Sequence, residues 1–374
     1  MNPAKAWERA KNILCVRLDA LGDVLMTTPA MRALKECGIG RRLTLFTSTG
    51  AAEAASLIPE VDSVIAYDAP WMKATVLRDH AEPDWAMIER IRQHSFDAAV
   101  IFTAYSQNPL PAALFCWLAG IPLRLAHCRE NPYQLLTNWE KEIEPSEIIR
   151  HEVRRQLDLV AQVGCRTNDE DMRMHVPEPS LVRVRQLLRE SGMDEDWKWI
   201  VFHPGATAAS RRYPPENFAV AARLLAERYG CQIVFTGTET ERNLAMKIQI
   251  AMRARSHSLV GKLNLGEMAA LLSIAPLLVS NNTAPVHIAA SVGTPVVDLY
   301  ALTNPQHTPW AVPQRVLSHN VPCKYCYKSV CPEGHNDCLR QIAPEEIVSA
   351  VLELLQETNR LVPRKEKLDV YAWN

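Results

Sequence analysis

The chain has 374 residues, 48% hydrophobic and 22% charged, with a formal net charge of -1. At roughly 100–200 residues per domain this length predicts two domains, and a near-neutral balance lacks the basic excess of a nucleic-acid binder. No run approaches the roughly 20 apolar residues of a membrane span. The start carries Lys5, Arg9 and Lys11, but the apolar run behind them is short and broken by Arg17 and Asp19, unlike a signal peptide. The expectation is a cytoplasmic protein.

In chain order, Asn12–Leu18 is a compact apolar run that reads as a strand. Asp19-Ala-Leu-Gly-Asp23 follows as a loop, and Val24, Leu25, Met31 and Leu34 then recur at helical spacing. Strands are predicted again at Leu43–Thr47, Val64–Tyr67, Ala98–Phe102 and around Ile121–Arg129. Helices are predicted near Ala51–Leu57, Trp85–His94, Pro109–Leu118 and Glu147–Val163. A polar stretch from Gly164 to Lys198, with an exposed helix near Ser180–Ser191, reads as a linker.

The pattern restarts at Trp199. Strands are expected at Trp199–His203, Cys231–Thr236, Ser258–Val260, Leu277–Ser280 and Val296–Tyr300. Helices are expected at Pro215–Tyr229, Glu239–Ala254, Gly266–Ile274, Ala284–Val292 and Pro344–Gln356, with a charged tail beyond. Alternating strands and helices predict mostly parallel sheets. The expected layout is an N-terminal Rossmann-like domain over 1–175, a second over 176–345, and a helix with tail over 346–374. Ligands in such folds bind beyond the carboxyl ends of the strands. The loops Asp19–Asp23, His203–Arg212, Thr236–Glu241 and Ser280–His287 are therefore expected to line one cleft.

Each of these loops has a chemical and a plain reading. Ser280-Asn-Asn-Thr-Ala-Pro-Val-His287 opens a helix of small residues, and a helix N-terminus offers free N–H groups to phosphate. It is equally a simple capped helix. Gly205, Ala206 and Thr207 give a small-residue loop through which a ligand can approach backbone. Arg211 and Arg212 beyond it offer planar forks to phosphate, or are solvated surface cations. In Gly237-Thr-Glu-Thr-Glu241 a carboxylate is placed to accept from ribose hydroxyls or to complement the next helix dipole. Asp23 begins a helix, as an ordinary N-terminal Asp or as a general base. Arg124, His127 and Arg129, with Arg150, Arg154 and Arg155, form a solvated basic face or meet an anionic acceptor. His287 and His307 read first as structural hydrogen-bonders. No G-x-G-x-x-G loop is present, which counts against a dehydrogenase.

Of ten cysteines, Cys15, Cys37, Cys116, Cys128, Cys165 and Cys231 sit in apolar or helical patterns as small hydrophobes. Cys323, Cys326, Cys331 and Cys338 cluster around His335. Such spacing is compatible with a structural zinc site, a disulfide or packed free thiols.

The strand followed by Leu-Gly-Asp-Val-Leu-x-Thr-x-Pro-Ala near the start, the His-Pro-Gly in mid-chain and the late Asn-x-Thr-x-Pro-x-His-x-Ala-Ala together resemble glycosyltransferase family 9. This is the family of bacterial ADP-heptose:lipopolysaccharide heptosyltransferases, and the resemblance runs from about Asn12 to the final helix. The Cys323–Cys338 segment is also similar to one seen in family members. The resemblance implies a GT-B fold of two facing Rossmann-like domains, the acceptor on the first and the nucleotide-sugar donor on the second. It implies inverting transfer with no cofactor and no active-site metal. Asp23 matches the family's catalytic base. Arg211 stands near its diphosphate-binding basic residue, Glu241 matches its ribose-binding carboxylate, and Asn282, Thr283, Ala284 and His287 match its phosphate-cradling turn. Gly205, Ala206, Thr207 and Gly237 complete the expected donor site. Gly22, Arg124 and Arg129 are the candidates for the acceptor side. The chain departs from the family at Asn282, often Asp, and at Ala284, often Gly. The implied donor is ADP-heptose. The implied partner is a lipid-linked saccharide acceptor, reached by peripheral contact with the cytoplasmic face of the inner membrane. Competing readings are a GT-B sugar-nucleotide epimerase or hydrolase, and a non-catalytic nucleotide-sugar-binding module.

Overall fold

In the computed structural model, which describes residues 3–73, 75–194 and 197–359, the apolar runs become two six-stranded sheets whose strands all pair in parallel. The first contains β1 (Asn12–Arg17), β2 (Arg42–Thr47), β3 (Ser63–Ala66), β4 (Ala98–Ile101), β5 (Leu123–Cys128) and β6 (Asn138–Lys141), in the order β3-β2-β1-β4-β5-β6. The second contains β7 (Trp199–His203), β8 (Gln232–Phe235), β9 (His257–Ser258), β10 (Leu278–Asn281), β11 (Val296–Leu299) and β12 (Gln314–Leu317), in the order β12-β11-β10-β7-β8-β9. Numbered within each sheet, both follow the doubly wound Rossmann order, with the topological switch beside the first strand. β1, β4 and β7 are buried along nearly their whole length, as strands covered on both faces must be. Leu14, Val16, Phe46, Ile101 and Phe115 anchor the core over the first sheet. Ile200, Phe202, Phe218, Phe235 and Val297 anchor that of the second.

The chain falls into two compact units. The first runs to Pro177 and adds the segments Asn282–Gly293 and Thr303–Val312. The second holds Glu178–Asn281, Thr294–Leu302 and the chain from Pro313 on. The helix Pro344–Glu357 packs Ile347, Val351 and Leu354 into the core of the second unit rather than standing apart from it. The tail expected beyond it, from residue 360, lies outside the described residues.

Several expected boundaries move. The helix expected from Glu147 starts at Glu152 and ends at Ala161, because a turn over residues 144–147 and an irregular stretch over 148–150 precede its cap, His151, whose ring accepts from the Val153 N–H. The expected Ala51–Leu57 helix divides into an α-helical turn, Thr49–Ala52, and a 3-10 stretch, Glu53–Leu57. Edge strands β6 and β12 carry no apolar run, and the sequence does not announce them.

The helix Leu21–Glu36, which carries Gly22 and Asp23, is buried from Val24 to Leu34. Pro29 lies inside it and offers no N–H to the Leu25 carbonyl four residues back. The Thr28 hydroxyl donates to that carbonyl at 2.8 Å instead, so the helix continues without a buried orphan acceptor.

Candidate active site

At the carboxyl end of β1 the chain turns through Asp19 and enters the helix bearing Asp23. The Asp23 N–H donates to the Ala20 carbonyl at 3.0 Å, and the Thr27 hydroxyl donates to the Asp23 carbonyl at 2.8 Å, so the backbone here is fixed. The side chain of Asp23 pairs with Arg17 at 3.3 Å and stays one-fifth exposed. Arg17 itself is fully enclosed. It also pairs with Asp19 at 2.9 Å and with the buried Glu152 at 2.8 Å. Gln107 donates its amide to the other Asp19 oxygen.

Burial alone would lower the Arg17 pKa, but the carboxylates of Asp19, Glu152 and Asp23 outweigh it, so the guanidinium stays charged. Burial, with Asp23 and Glu152 adding negative potential, lifts the Asp19 carboxyl to about 6 against the pull of Arg17 and Gln107. Burial would raise Glu152 as well, but Arg17, Arg155 and His307 hold it down to about 2. One carboxylate of the set thus sits at the edge of protonation while another is firmly ionised.

Gly22 is buried under His287. A Cβ placed on Gly22 would lie 2.7 Å from the His287 ring. This close approach belongs to the packing of the helix Ala284–Ser291 on the helix Leu21–Glu36, both in the first unit. The turn read as a phosphate cradle, though encoded in the second half of the chain, is therefore built onto the body that carries Asp23. Thr283 precedes the helix in extended conformation and its side chain does not cap it. Its buried hydroxyl oxygen has no hydrogen-bond partner among the described residues. Asn282 is buried and donates its amide to the His307 carbonyl at 2.9 Å. An ionised carboxylate could not donate there. Ala284 opens the helix and Pro285 occupies its first turn.

The other donor candidates gather at the carboxyl end of the second sheet. Asn281, ending β10, donates to the Pro204 carbonyl at 2.7 Å and accepts from the Tyr213 N–H at 3.1 Å, tying the loop after β7 at two points. The His203 ring and the Thr236 hydroxyl are 3.1 Å apart, joining β7 to β8. Burial lowers the His203 pKa, against an opposing pull from Glu241, so the ring is neutral near pH 7. Glu241 accepts from the Thr238 N–H at 2.7 Å in a capping box. A Cβ on Gly205 would collide with the Glu241 carboxylate, and one on Gly237 would come within 3.2 Å of it. Both glycines make room for Glu241. Ala206 is buried, Thr207 exposed and Arg211 half-buried at the end of a 3-10 turn. Arg212 donates to the Ala206 carbonyl at 2.8 Å and shapes the loop.

The arginines read as a basic face are largely internal. Arg124 is buried and donates to the carbonyls of Leu135 and Gln134 at 2.7 Å and also to that of Ile121, fastening the β5–β6 connection. Arg129 is exposed, donates to the Glu144 carbonyl at 2.9 Å and lies over the Tyr105 ring. Arg155 pairs with Glu142 and Glu144, Arg150 with Glu144 and Asp158, and Arg154 with Glu170. The solvated-face reading is corrected for Arg124 and Arg155: both are buried, and their partners come from neighbouring turns and strands of the same segment.

Cys323, Cys326, Cys331 and Cys338 are free and partly buried. The Cys323 sulfur lies 3.8 Å from a His335 ring nitrogen. Burial raises the Cys338 thiol, with Cys331, Cys323 and Cys326 adding to the effect. Among the described residues no group of three or more His, Cys, Asp or Glu side chains is arranged to hold a metal ion.

The sequence reading passed over Arg17, Glu152, Gln107 and Asn281. Arg17 had a signal, a charge ending an apolar strand. The others acquire their roles through partners up to 135 positions away.

Residues 85–336 match the family model for glycosyltransferase family 9 (heptosyltransferase). The matched span begins after Asp23, so the N-terminal turn stands on its own geometry. The chain is 24% identical over 299 residues to lipopolysaccharide heptosyltransferase 3 of Escherichia coli K12, covering 77% of this chain and 81% of that protein. It is 25% identical over 293 residues to lipopolysaccharide heptosyltransferase 2 of the same strain, covering 74% and 78%. Among solved structures, E. coli ADP-heptose lps heptosyltransferase II superimposes with a TM-score of 0.72 at 21% identity, over 93% of this chain and 99% of that one. The folds agree as GT-B, and the family match covers more than half of the chain: this protein belongs to glycosyltransferase family 9 and is a glycosyltransferase.

Proposed function

We propose that the protein transfers a heptosyl unit from ADP-heptose to a saccharide acceptor of the lipopolysaccharide-core type, with inversion and Asp23 as general base. The heptosyl unit and the lipopolysaccharide acceptor follow the names of its relatives, and ADP-heptose follows that of the superimposed E. coli enzyme. The observation that carries the chemistry is the seating of His287 on Gly22, which joins the Asn282–His287 turn to the helix of Asp23. In the proposed step the acceptor oxygen bonds to the anomeric carbon while its proton passes to Asp23. The bond from that carbon to the diphosphate breaks, and its electron pair leaves on the ADP oxygen. The growing negative charge is met by donors fixed in advance on the unit that carries Asp23: the uncapped N–H groups after Thr283 and the Thr283 hydroxyl. On the second unit, Arg211 is the basic residue assigned to the donor diphosphate. Glu241, seated between Gly205 and Gly237, takes the ribose hydroxyls. Gly22 and Arg129 belong to the acceptor side.

The purified protein, given ADP-heptose and a heptose-deficient core saccharide, is expected to release ADP and extend the acceptor equally with and without EDTA. Asp23→Asn is expected to bind ADP as the wild type does and to lose about 10²–10⁴-fold in kcat. Near-normal turnover in that variant overturns the base assignment. Metal-restorable loss in EDTA overturns metal independence. Use of a UDP- or GDP-sugar in place of ADP-heptose overturns the donor. An acceptor carried on lipid places the work at a membrane surface, although among the described residues no helix is long and apolar enough to cross one. Salt-sensitive sedimentation with anionic vesicles is the expected sign of that contact.

A further inference from the structure

Enclosing a guanidinium is costly, by several kcal/mol for an ion left without fixed partners. Arg17 is fully enclosed, and its three nitrogens face three different carboxylates: Nε to Asp19 at 2.9 Å, one terminal nitrogen to Glu152 at 2.8 Å and the other to Asp23 at 3.3 Å. The Glu152 contact is a directed hydrogen bond and the other two are ion pairs, so the guanidinium is anchored at its inner side and drawn by charge toward Asp19 and Asp23.

Glu152 is clamped in its own right. It is fully buried, accepts from the Gln156 amide at 2.7 Å, and its N–H donates to the Gln306 carbonyl at 3.0 Å. Gln156 also donates to the Thr103 carbonyl at 3.0 Å. The line from Glu152 through Arg17 to Asp23 is therefore rigid at its inner end, and Asp23, at its outer end, is the partly exposed member beside Gly22. A core arginine needing only neutralisation would be satisfied by one buried carboxylate. The additional contacts to Asp19 and Asp23 link it to the rim where the turn Asn282–His287 packs.

We propose that Arg17, clamped by Glu152, is the positioning residue of the transfer reaction, holding the Asp23 carboxylate aimed for proton transfer. This rests on the reading of Asp23 as the base. The arrangement also answers a chemical difficulty. A lone arginine beside a base weakens it, but here Asp19 and Glu152 share the same cation, so Asp23 is oriented without bearing its whole pull. The charged and titratable groups around Asp23 are Arg17 and Asp19 from β1 and its loop, Glu152 with Arg155 from the helix Glu152–Ala161, His287 from the helix Ala284–Ser291, and His307, which acts through Glu152.

The test is kcat and donor KM against pH for the full-length wild type, Arg17→Gln, Arg17→Lys, Asp19→Asn and Asp23→Asn. ADP binding and thermal melting are followed alongside. Arg17→Gln is expected to lower kcat about 10²-fold with donor KM unchanged, as misplacement of a reacting group does. Its acidic limb moves to higher pH, because losing the cation disfavours the carboxylate. Arg17→Lys restores the position of that limb and part of kcat, since it returns the charge without the fork. Asp19→Asn moves the limb to lower pH by removing a negative neighbour.

Wild-type kcat in Arg17→Gln, or limbs that stay fixed in both Arg17→Gln and Asp19→Asn, overturns the proposal. Should Arg17→Gln not fold, Arg17→Lys and Asp19→Asn decide, since the limb must hold in the first and fall in the second. If Asp23→Asn keeps its turnover, the base reading itself has failed. If Asp23→Asn is inactive while the Arg17 variants behave as wild type, only the positioning role has failed.

Discussion

Single residues decide the geometry at two places. Gly22 is required because a methyl group there would sit 2.7 Å from the His287 ring, on two helices that are both packed in. Gly22→Ala is expected to cost about 1–3 kcal/mol, the usual range for overpacking. It should also lower kcat by moving Asp23 relative to the Asn282–His287 turn. Urea denaturation and steady-state kinetics on one preparation check both, and a variant equal to wild type in each would show that the ring yields freely. Gly205 plays the matching part in the second unit, where its missing Cβ leaves space for Glu241. Gly205→Ala is expected to displace that carboxylate and weaken ADP binding without changing the acidic limb of kcat, a split that ADP titration and a pH profile resolve. The motif spelled out both glycines. It did not say what each makes room for, since that depends on side chains approaching from other segments.

At the scale of elements, the helix Leu21–Glu36 shows how a local rule is satisfied locally. Pro29 removes one helical hydrogen bond, and Thr28 supplies a replacement from the adjacent position. Thr28→Val keeps the shape and removes the donor, leaving the Leu25 carbonyl buried and unsatisfied. The expected loss is about 1–3 kcal/mol, read by chemical denaturation. A cost near zero would mean that another group reaches that carbonyl. Boundaries were legible where an apolar run or a cap marked them, as at Pro215–Tyr229, which ends on Gly230 in the left-handed conformation. They were illegible at β6 and β12, where one edge of each strand is unpaired and polar residues such as Glu140, Lys141 and Arg315 are tolerated. Arg315 there meets Glu353 and Glu357 from the last helix.

For the whole molecule, pH is the informative variable. Burial pushes His127 down to about 3 and His151 to about 4, from an ordinary 6.5, so both are neutral in the folded chain. Unfolding lets them bind protons, so their contribution is present above pH 6.5 and is lost as the pH falls toward 4 and 3. Glu152, held down to about 2 from 4.5, contributes above pH 4.5 and loses that contribution between the two values. All three lie in the first unit. Asp19 in the same unit, raised to about 6 from 3.8, works the other way below pH 6, but it is one group against three, so stability measured by urea denaturation is expected to fall from pH 7 to pH 4 and more steeply below, with the first unit melting first. A stability independent of pH between 7 and 4 would show that these groups titrate as exposed ones.

The sequence by itself determined that the protein is built of parallel α/β sheets, and it marked the turns that end β1, β7, β8 and β10. Those features are encoded locally, in apolar runs of strand length, glycines and helix-opening residues whose meaning depends on near neighbours. Tertiary structure alone decided that Arg17 is shared among Asp19, Asp23 and Glu152, that Arg124 fastens backbone carbonyls, and that Asn282–Gly293 packs with the first unit. The physical reason is the same in each case. A buried charge or a close helix approach is stable only when its partners arrive together, and which partners arrive is set by the folded path of the chain, whether they lie ten positions away, as for Arg124, or 135, as for Arg17 and Glu152.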